Sequence, residues 1–161
     1  MTAAADLLHL IGSWSGTDRL WFEPEQLANE SAAAAIIRPT LGGRAVINEY
    51  RWTFGEDRHH GTMLIVPTEA GHEIALADSF HTGGAIMRLT PPPEPDPTAV
   101  VDALGGYGPD GEQWGWRVVV HQPERDHVEI TAWNISPDGV AARAVLTQLS
   151  REIDPAQDAT I

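Results

Sequence analysis

Apolar and polar positions alternate with a period of two through most of this chain, in short runs separated by Gly, Pro and Asp, which predicts strands. Only the beginning differs. There Leu7, Leu8 and Ile11 recur at helical spacing, with Thr2 placed to cap a helix and Gly12 to end it. The alternating runs cover 13–22, 30–38, 44–54, 60–66, 73–80, 85–89, 98–104, 113–122, 127–135 and 140–153. Between them stand turn signals such as Gly42-Gly43, Ala70-Gly71 and Pro137-Asp138-Gly139, and one rigid loop, Pro91-Pro92-Pro93-Glu94-Pro95-Asp96-Pro97. About ten strands joined mostly by hairpin-length connections predict an all-β, antiparallel fold closing as an up-and-down barrel, with one short N-terminal helix. No repeat or change of composition divides the chain. One barrel domain is expected over 1–154, with a frayed tail at 155–161.

Several strands interrupt an apolar face with polar residues. Val46, Asn48, Tyr50 and Trp52 share one face, opposite Ala45, Ile47, Glu49 and Arg51. Trp114, Trp116, Val118 and Val120 share another, opposite Arg117 and His121. An aromatic wall with a few placed polar groups is the composition of a ligand cavity, and barrels of this size can enclose one small molecule. The competing reading is a filled core with Tyr and Trp hydrogen-bonded at its rim.

Composition narrows the partners. The 161 residues contain 23 acids against 10 basic residues, every one of them arginine, for a formal charge of −13. Such a surface repels nucleic-acid phosphates and anionic lipid. There is no cysteine, hence no disulfide, thiol nucleophile or thiolate-bound metal, which suits a reducing cytosol. The N-terminus lacks a basic region before its apolar residues and does not read as a secretory signal, and no apolar run reaches the ~20 residues of a membrane span. A soluble cytoplasmic protein is expected.

The segment Gly12-Ser13-Trp14 resembles the Gly-x-Trp signature of lipocalin and fatty-acid-binding barrels, where the tryptophan plugs one end beside an arginine of the last strand. The resemblance gives Trp14 the role of plug and Arg151 that of its stacking partner. A longer likeness runs through Leu41-Gly42-Gly43-Arg44, Glu49-Tyr50-Arg51, the Gly61 strand, Asp78-Ser79 and Leu149-Ser150-Arg151. Together these look like the bacterial domain of unknown function 1579, a family expected to form a calycin-like barrel. The chain departs from that family at Ile65-Val66-Pro67, where a Tyr-Asp-Pro turn is usual, so any role of that Tyr and Asp is not carried over. Nitrobindins, a related haem-binding barrel group, carry a proximal histidine near the C-terminal end. The last strand here has none, and haem would need His81, His121 or His127 instead.

No strong catalytic motif emerges. His59 and His60 are adjacent in a strand and point to opposite faces, which reads as a solvated turn. His121 and His127 flank a hairpin with Glu124 and Asp126, without metal-ligand spacing. His81 follows Asp78 and Ser79 at a strand end, before the turn Thr82-Gly83-Gly84 that could gate a barrel mouth. Ser79 and His81 are about 7 Å apart along a strand, too far for a direct bond, and no Gly-x-Ser-x-Gly elbow exists. Strand carboxylates Glu49, Asp78 and Glu129, if inward, would pair with an interior Arg44, Arg117 or Arg143. Such an arginine would favour an anionic ligand head.

The candidate ligand-binding residues are therefore Asn48, Tyr50, Trp52, Asp78, His81, Trp114, Trp116 and Trp133, with Trp14 and Arg151 as the structural plug. The leading reading is a binding protein for a small hydrophobic or amphipathic molecule, without cofactor or metal. The alternatives are a cofactor-independent isomerase, cyclase or hydrolase in the same cavity, a haem-binding barrel, and a homodimer built on the barrel exterior.

Overall fold

The structure, a computed structural model, describes residues 3–153. The first-turn cap expected at Thr2 and the tail at 155–161 lie outside the described residues. A short helix α1 (Ala3–Leu8) leads into β1 (Gly12–Glu23), β2 (Gln26–Thr40), β3 (Ala45–Phe54), β4 (Asp57–Thr68), β5 (Gly71–Asp78) and a short β6 (Met87–Leu89). The second half supplies β7 (Val101–Tyr107), β8 (Trp114–Glu124), β9 (His127–Ile135) and β10 (Ala141–Arg151). All ten strands form one antiparallel sheet, in the order β6-β5-β4-β3-β2-β1-β10-β9-β8-β7. Its two edges meet where Thr90 and Leu104 exchange backbone hydrogen bonds of 2.9 and 2.8 Å, which nearly closes the barrel. No described helix is long and apolar enough to cross a membrane.

Each expected strand is present, and β1, β2, β4 and β8 run longer than the alternation indicated. The stretch Gln26-Leu27-Ala28-Asn29, which does not alternate, hid the start of β2, which runs back to a tight Pro24-Glu25 turn with Glu25 at φ 63°. The ladder continues because β1 offers partners down to Glu23. In the helix Leu7 is buried while Leu8 is 47% exposed, and Leu10 in the following turn is buried. The Leu7, Leu8, Ile11 face expected from spacing is thus corrected, because the helix ends at Leu8 and the following turn brings Leu10 inward.

That turn closes one end of the barrel. The Trp14 indole, 1% exposed, donates from Nε1 to the Leu10 carbonyl at 2.9 Å. The Arg151 guanidinium lies 4.3 Å from the Trp14 ring and donates to the Ile11 and His9 carbonyls and to Asp126. Gly12 explains the start of the Gly-x-Trp segment: a Cβ there would sit 2.5 Å from Arg151 Nη1. The expected plug is present as a stacked, hydrogen-bonded pair.

On the outside, the proline-rich loop is strapped over β7 and β8. Buried Asp102 takes two bonds from Arg117, at 2.8 and 2.6 Å, and one from the Asp96 backbone N–H. His121 bonds Asp96 at 2.9 Å. Arg117 therefore neutralises a carboxylate beneath the loop and does not reach the interior.

Candidate functional site

Strand alternation fixes what faces inward. In β3, Val46, Asn48 and Trp52 are buried while Glu49 and Arg51 are exposed, as the sequence pattern required. Tyr50 shares that inward phase and lies in one row with Gly61 of β4 and Asp78 of β5. Its ring crosses Gly61, where a Cβ would come within 2.1 Å of it, and its hydroxyl donates to Asp78 Oδ2 at 2.8 Å. The other carboxylate oxygen of Asp78 accepts the Phe80 and His81 backbone N–H groups at 2.6 and 2.7 Å. Asp78, 1% exposed, thereby shapes the turn that turns His81 back over the barrel. Burial, then the Asp78 charge, pushes the Tyr50 phenol well above its usual range.

Beside this row lies an enclosed space with about 50 Å³ open to the centre of a water-sized sphere. One water needs roughly 10–15 Å³ on that measure, so the space as it stands takes a few waters, and a ring-sized molecule needs it to widen. It exists because β2 and β9 present alanines inward, Ala33, Ala35 and Ala132, where larger residues would fill the barrel. Trp52, Met63, Trp116 and Val118 supply apolar wall, and Tyr50, His81, Asp18 and Thr147 the polar points.

Asp18 is the functional candidate that sequence reasoning missed. It is 5% exposed, and its Oδ2 accepts the Thr147 hydroxyl at 2.7 Å. Its other oxygen has no partner among the described residues. Burial raises its pKa from 3.8 to about 6, Thr147 opposes that rise, and Asp78 adds to it. A usable signal was present: with Trp14 inward as the plug, a period of two puts Asp18 on the same face.

The open end carries a cluster of rings. Phe80 lies 5.7 Å from Phe54, 5.1 Å from Trp52 and 5.0 Å from His59, centroid to centroid. His81 stacks on Trp52 at 5.6 Å and leans on Trp116 at 5.1 Å. Burial lowers the His81 pKa below 6.5, although the nearby Asp78 charge works against it. His59 bonds Ser79 Oγ at 3.1 Å and belongs to this cluster, which corrects the reading of His59 as part of a solvated turn.

Of the candidate residues, Tyr50, Trp52, His81 and Trp116 line the space, and Asp78 holds two of them in place. Asn48 is 1% exposed on the same face, with Oδ1 unpaired. The other two tryptophans do not join. Trp133 is on the outward phase of β9, and Trp114 sits at the rim beside Gly108. The expected interior arginine is also corrected: Arg44 bonds the Leu41 carbonyl, Arg117 pairs with Asp102, and Arg143 covers the outward Trp21 at 4.4 Å. Glu49 pairs outside with Arg38, and Glu129 accepts from Gln148. Of the three histidines considered for haem, His81 alone lines the space, since His121 and His127 bond Asp96 and Glu124.

The Asp18 environment sets a measurable pH dependence. With its folded-state pKa raised above 3.8, stability from the neutral carboxyl is full below pH 3.8 and is lost as pH rises to about 6. A rise from 3.8 to about 6 corresponds to about 3 kcal/mol. Asp18→Asn, which keeps an acceptor for Thr147, is expected to stabilise the fold by about 1–3 kcal/mol at neutral pH. Urea denaturation as a function of pH should show that gain vanish below about pH 4; a gain constant with pH would contradict the assignment.

With the geometry in place, comparison with known proteins is informative. The family model described as a protein of unknown function (DUF1579) matches residues 4–151. The chain belongs to the DUF1579 family. Among solved structures, the DUF1579 barrel is similar to the S-type phycobiliprotein lyase CPES from Guillardia theta. The two share 13% identity at a TM-score of 0.55, over 96% of this chain and 94% of that one. That likeness shows a shared fold. A protein of unknown function from the DUF3598 family of Nostoc punctiforme aligns with 94% of this chain and 100% of its own, at 8% identity and a TM-score of 0.31. No curated protein matches the DUF1579 chain.

Proposed function

We propose that this DUF1579 barrel binds one small, largely apolar molecule in the space between Asp18, Trp52 and Trp116. The observation that carries the reading is the combination of inward alanines with an unpaired carboxylate oxygen in an otherwise apolar cavity. A domain selected only for stability would fill that space and leave no lone carboxylate inside it. The fold shared with a phycobiliprotein lyase supports a ligand-binding barrel at the level of architecture. The ring cluster of Phe54, Phe80 and His81 stands at the mouth, carried in part by the 79–84 turn, and would be the moving part on entry.

The test uses a neutral probe, 2-phenylethanol, followed by tryptophan fluorescence. The wild-type protein is expected to show saturable quenching. Ala132→Leu, which grows a side chain into the space, is expected to weaken binding at least about tenfold without loss of thermal stability. Equal binding by wild type and Ala132→Leu would place the probe elsewhere and overturn the reading.

Acid–base catalysis in the same space is a second reading, favoured by one observation. Burial raises Asp18 and lowers His81 within one cavity, which brings an acid and a base towards the neutral range where general acid–base catalysis works best. It ranks second because no hydrogen bond among the described residues links Asp18 to His81.

A further inference from the structure

The polar chemistry of the interior is one-sided. Asp18 has one oxygen unpaired, Asn48 Oδ1 has no partner, and the nearby Asp78 adds a second carboxylate. The two carboxylates only accept, while Asn48, whose amide also carries N–H donors, lies outside the lining of the space. Against them, Arg151 is the one cationic side chain on an inward strand phase among the described residues. It is committed to the closed end, where it donates to the Ile11, His9 and Arg125 carbonyls and to Asp126. His81, the histidine that lines the space, is buried between two indoles, and His72 is buried further along the inward phase of β5.

An anionic ligand would enter this space against Asp18, with Asp78 close behind it, and the one arginine at its edge, Arg51, is exposed on the outward phase of β3. A neutral apolar ligand would leave the free Asp18 oxygen desolvated and unpaired. A protonated amine removes both difficulties: its N–H donates to Asp18, and its charge lies among the indole rings of Trp52 and Trp116, which attract cations.

We propose that the cavity selects a small ammonium compound with a flat apolar body, Asp18 being its anionic partner. This inference rests on the binding reading above and adds the chemical class of the ligand. It reverses the expectation of an anion-binding arginine, since the structure puts a carboxylate where that arginine was sought.

The experiment compares three molecules of similar size: 2-phenylethylammonium, 2-phenylethanol and phenylacetate. Affinities are read by tryptophan fluorescence at about pH 7.5, for wild type and Asp18→Asn. In wild type the ammonium is expected to bind about tenfold or more tighter than the alcohol, with phenylacetate weakest. In Asp18→Asn the ratio of ammonium to alcohol affinity should fall to about one.

A pH series on the wild-type protein supplies an independent measurement should the variant fail to fold. The titratable and charged groups lining the space are Asp18, Tyr50, Arg51 and His81, with Asp78 hydrogen-bonded behind Tyr50 and His59 beside them at the mouth. Lowering the pH to about 5 neutralises Asp18 and brings His81 nearer to its charged form, while the ammonium stays charged. Both changes weaken the ammonium and leave the alcohol little affected.

Equal affinity for ammonium and alcohol, or an advantage that survives both Asp18→Asn and low pH, overturns the ligand class and leaves the binding reading standing. Failure of both the ammonium and the alcohol to bind wild type overturns the binding reading, and this inference with it.

Discussion

Asp78→Ala is expected to destabilise the protein by about 3–5 kcal/mol, among the largest effects of any single polar substitution in the barrel. The carboxylate is 1% exposed and accepts three hydrogen bonds, from the Tyr50 hydroxyl and the Phe80 and His81 backbone N–H groups. Its removal leaves all three donors in or beside the interior, each costing about 1–3 kcal/mol when unpaired, with partial relief as the turn relaxes. Relief of the repulsion on Asp18 offsets only part of this. Tyr50→Phe removes a single bond and should cost less, about 1–2 kcal/mol. Urea denaturation of both variants and of the double variant gives the coupling directly. Additive effects would mean that Tyr50 and Asp78 do not act as a pair. Because the same carboxylate shapes the turn carrying His81, the Asp78→Ala protein should also lose the stacking of His81 on Trp52, seen as a change in indole fluorescence.

The second large effect is at the closed end. Trp14→Ala is expected to cost about 3–5 kcal/mol, since it empties a 1% exposed site and abandons the Leu10 carbonyl. Arg151 then loses the ring it covers at 4.3 Å, but keeps its carbonyl partners. Arg151→Ala should therefore cost about 2–3 kcal/mol, with a coupling to Trp14 of about 1 kcal/mol or less. The measurement is a double-mutant cycle in denaturant. Zero loss in Trp14→Ala would show that the helix end does not depend on the plug.

The architecture was legible because a period of two, punctuated by Gly and Pro, leaves little freedom once ten runs follow one another. The plug was legible from its resemblance, and the structure supplies its physics: Gly12 is needed for the approach of Arg151. The inward phase of β3 was readable because Val46, Asn48, Tyr50 and Trp52 contrast so sharply with Glu49 and Arg51. The site was read less well, for a related reason. Trp114 was counted by its residue type although it lies at a strand end, and Trp133 although its phase is outward. Asp18 was passed over because an aspartate between Thr17 and Arg19 looks like a solvated strand face. The phase set by Trp14 outweighs that local impression. What the sequence could not express is the proline-rich loop: it hides Asp102 and Arg117 beneath it, so an arginine expected inside is spent on the exterior.

The proposed occupant is a small molecule lying inside the barrel between Asp18 and the indoles. Nuclear Overhauser contacts from bound 2-phenylethanol test this most directly. Contacts to the methyl groups of Met63, Val118 and Ala132, three inward residues from three strands, are the result expected. Contacts confined to exposed apolar residues such as Phe22 and Ile36, with none to those three, would contradict it.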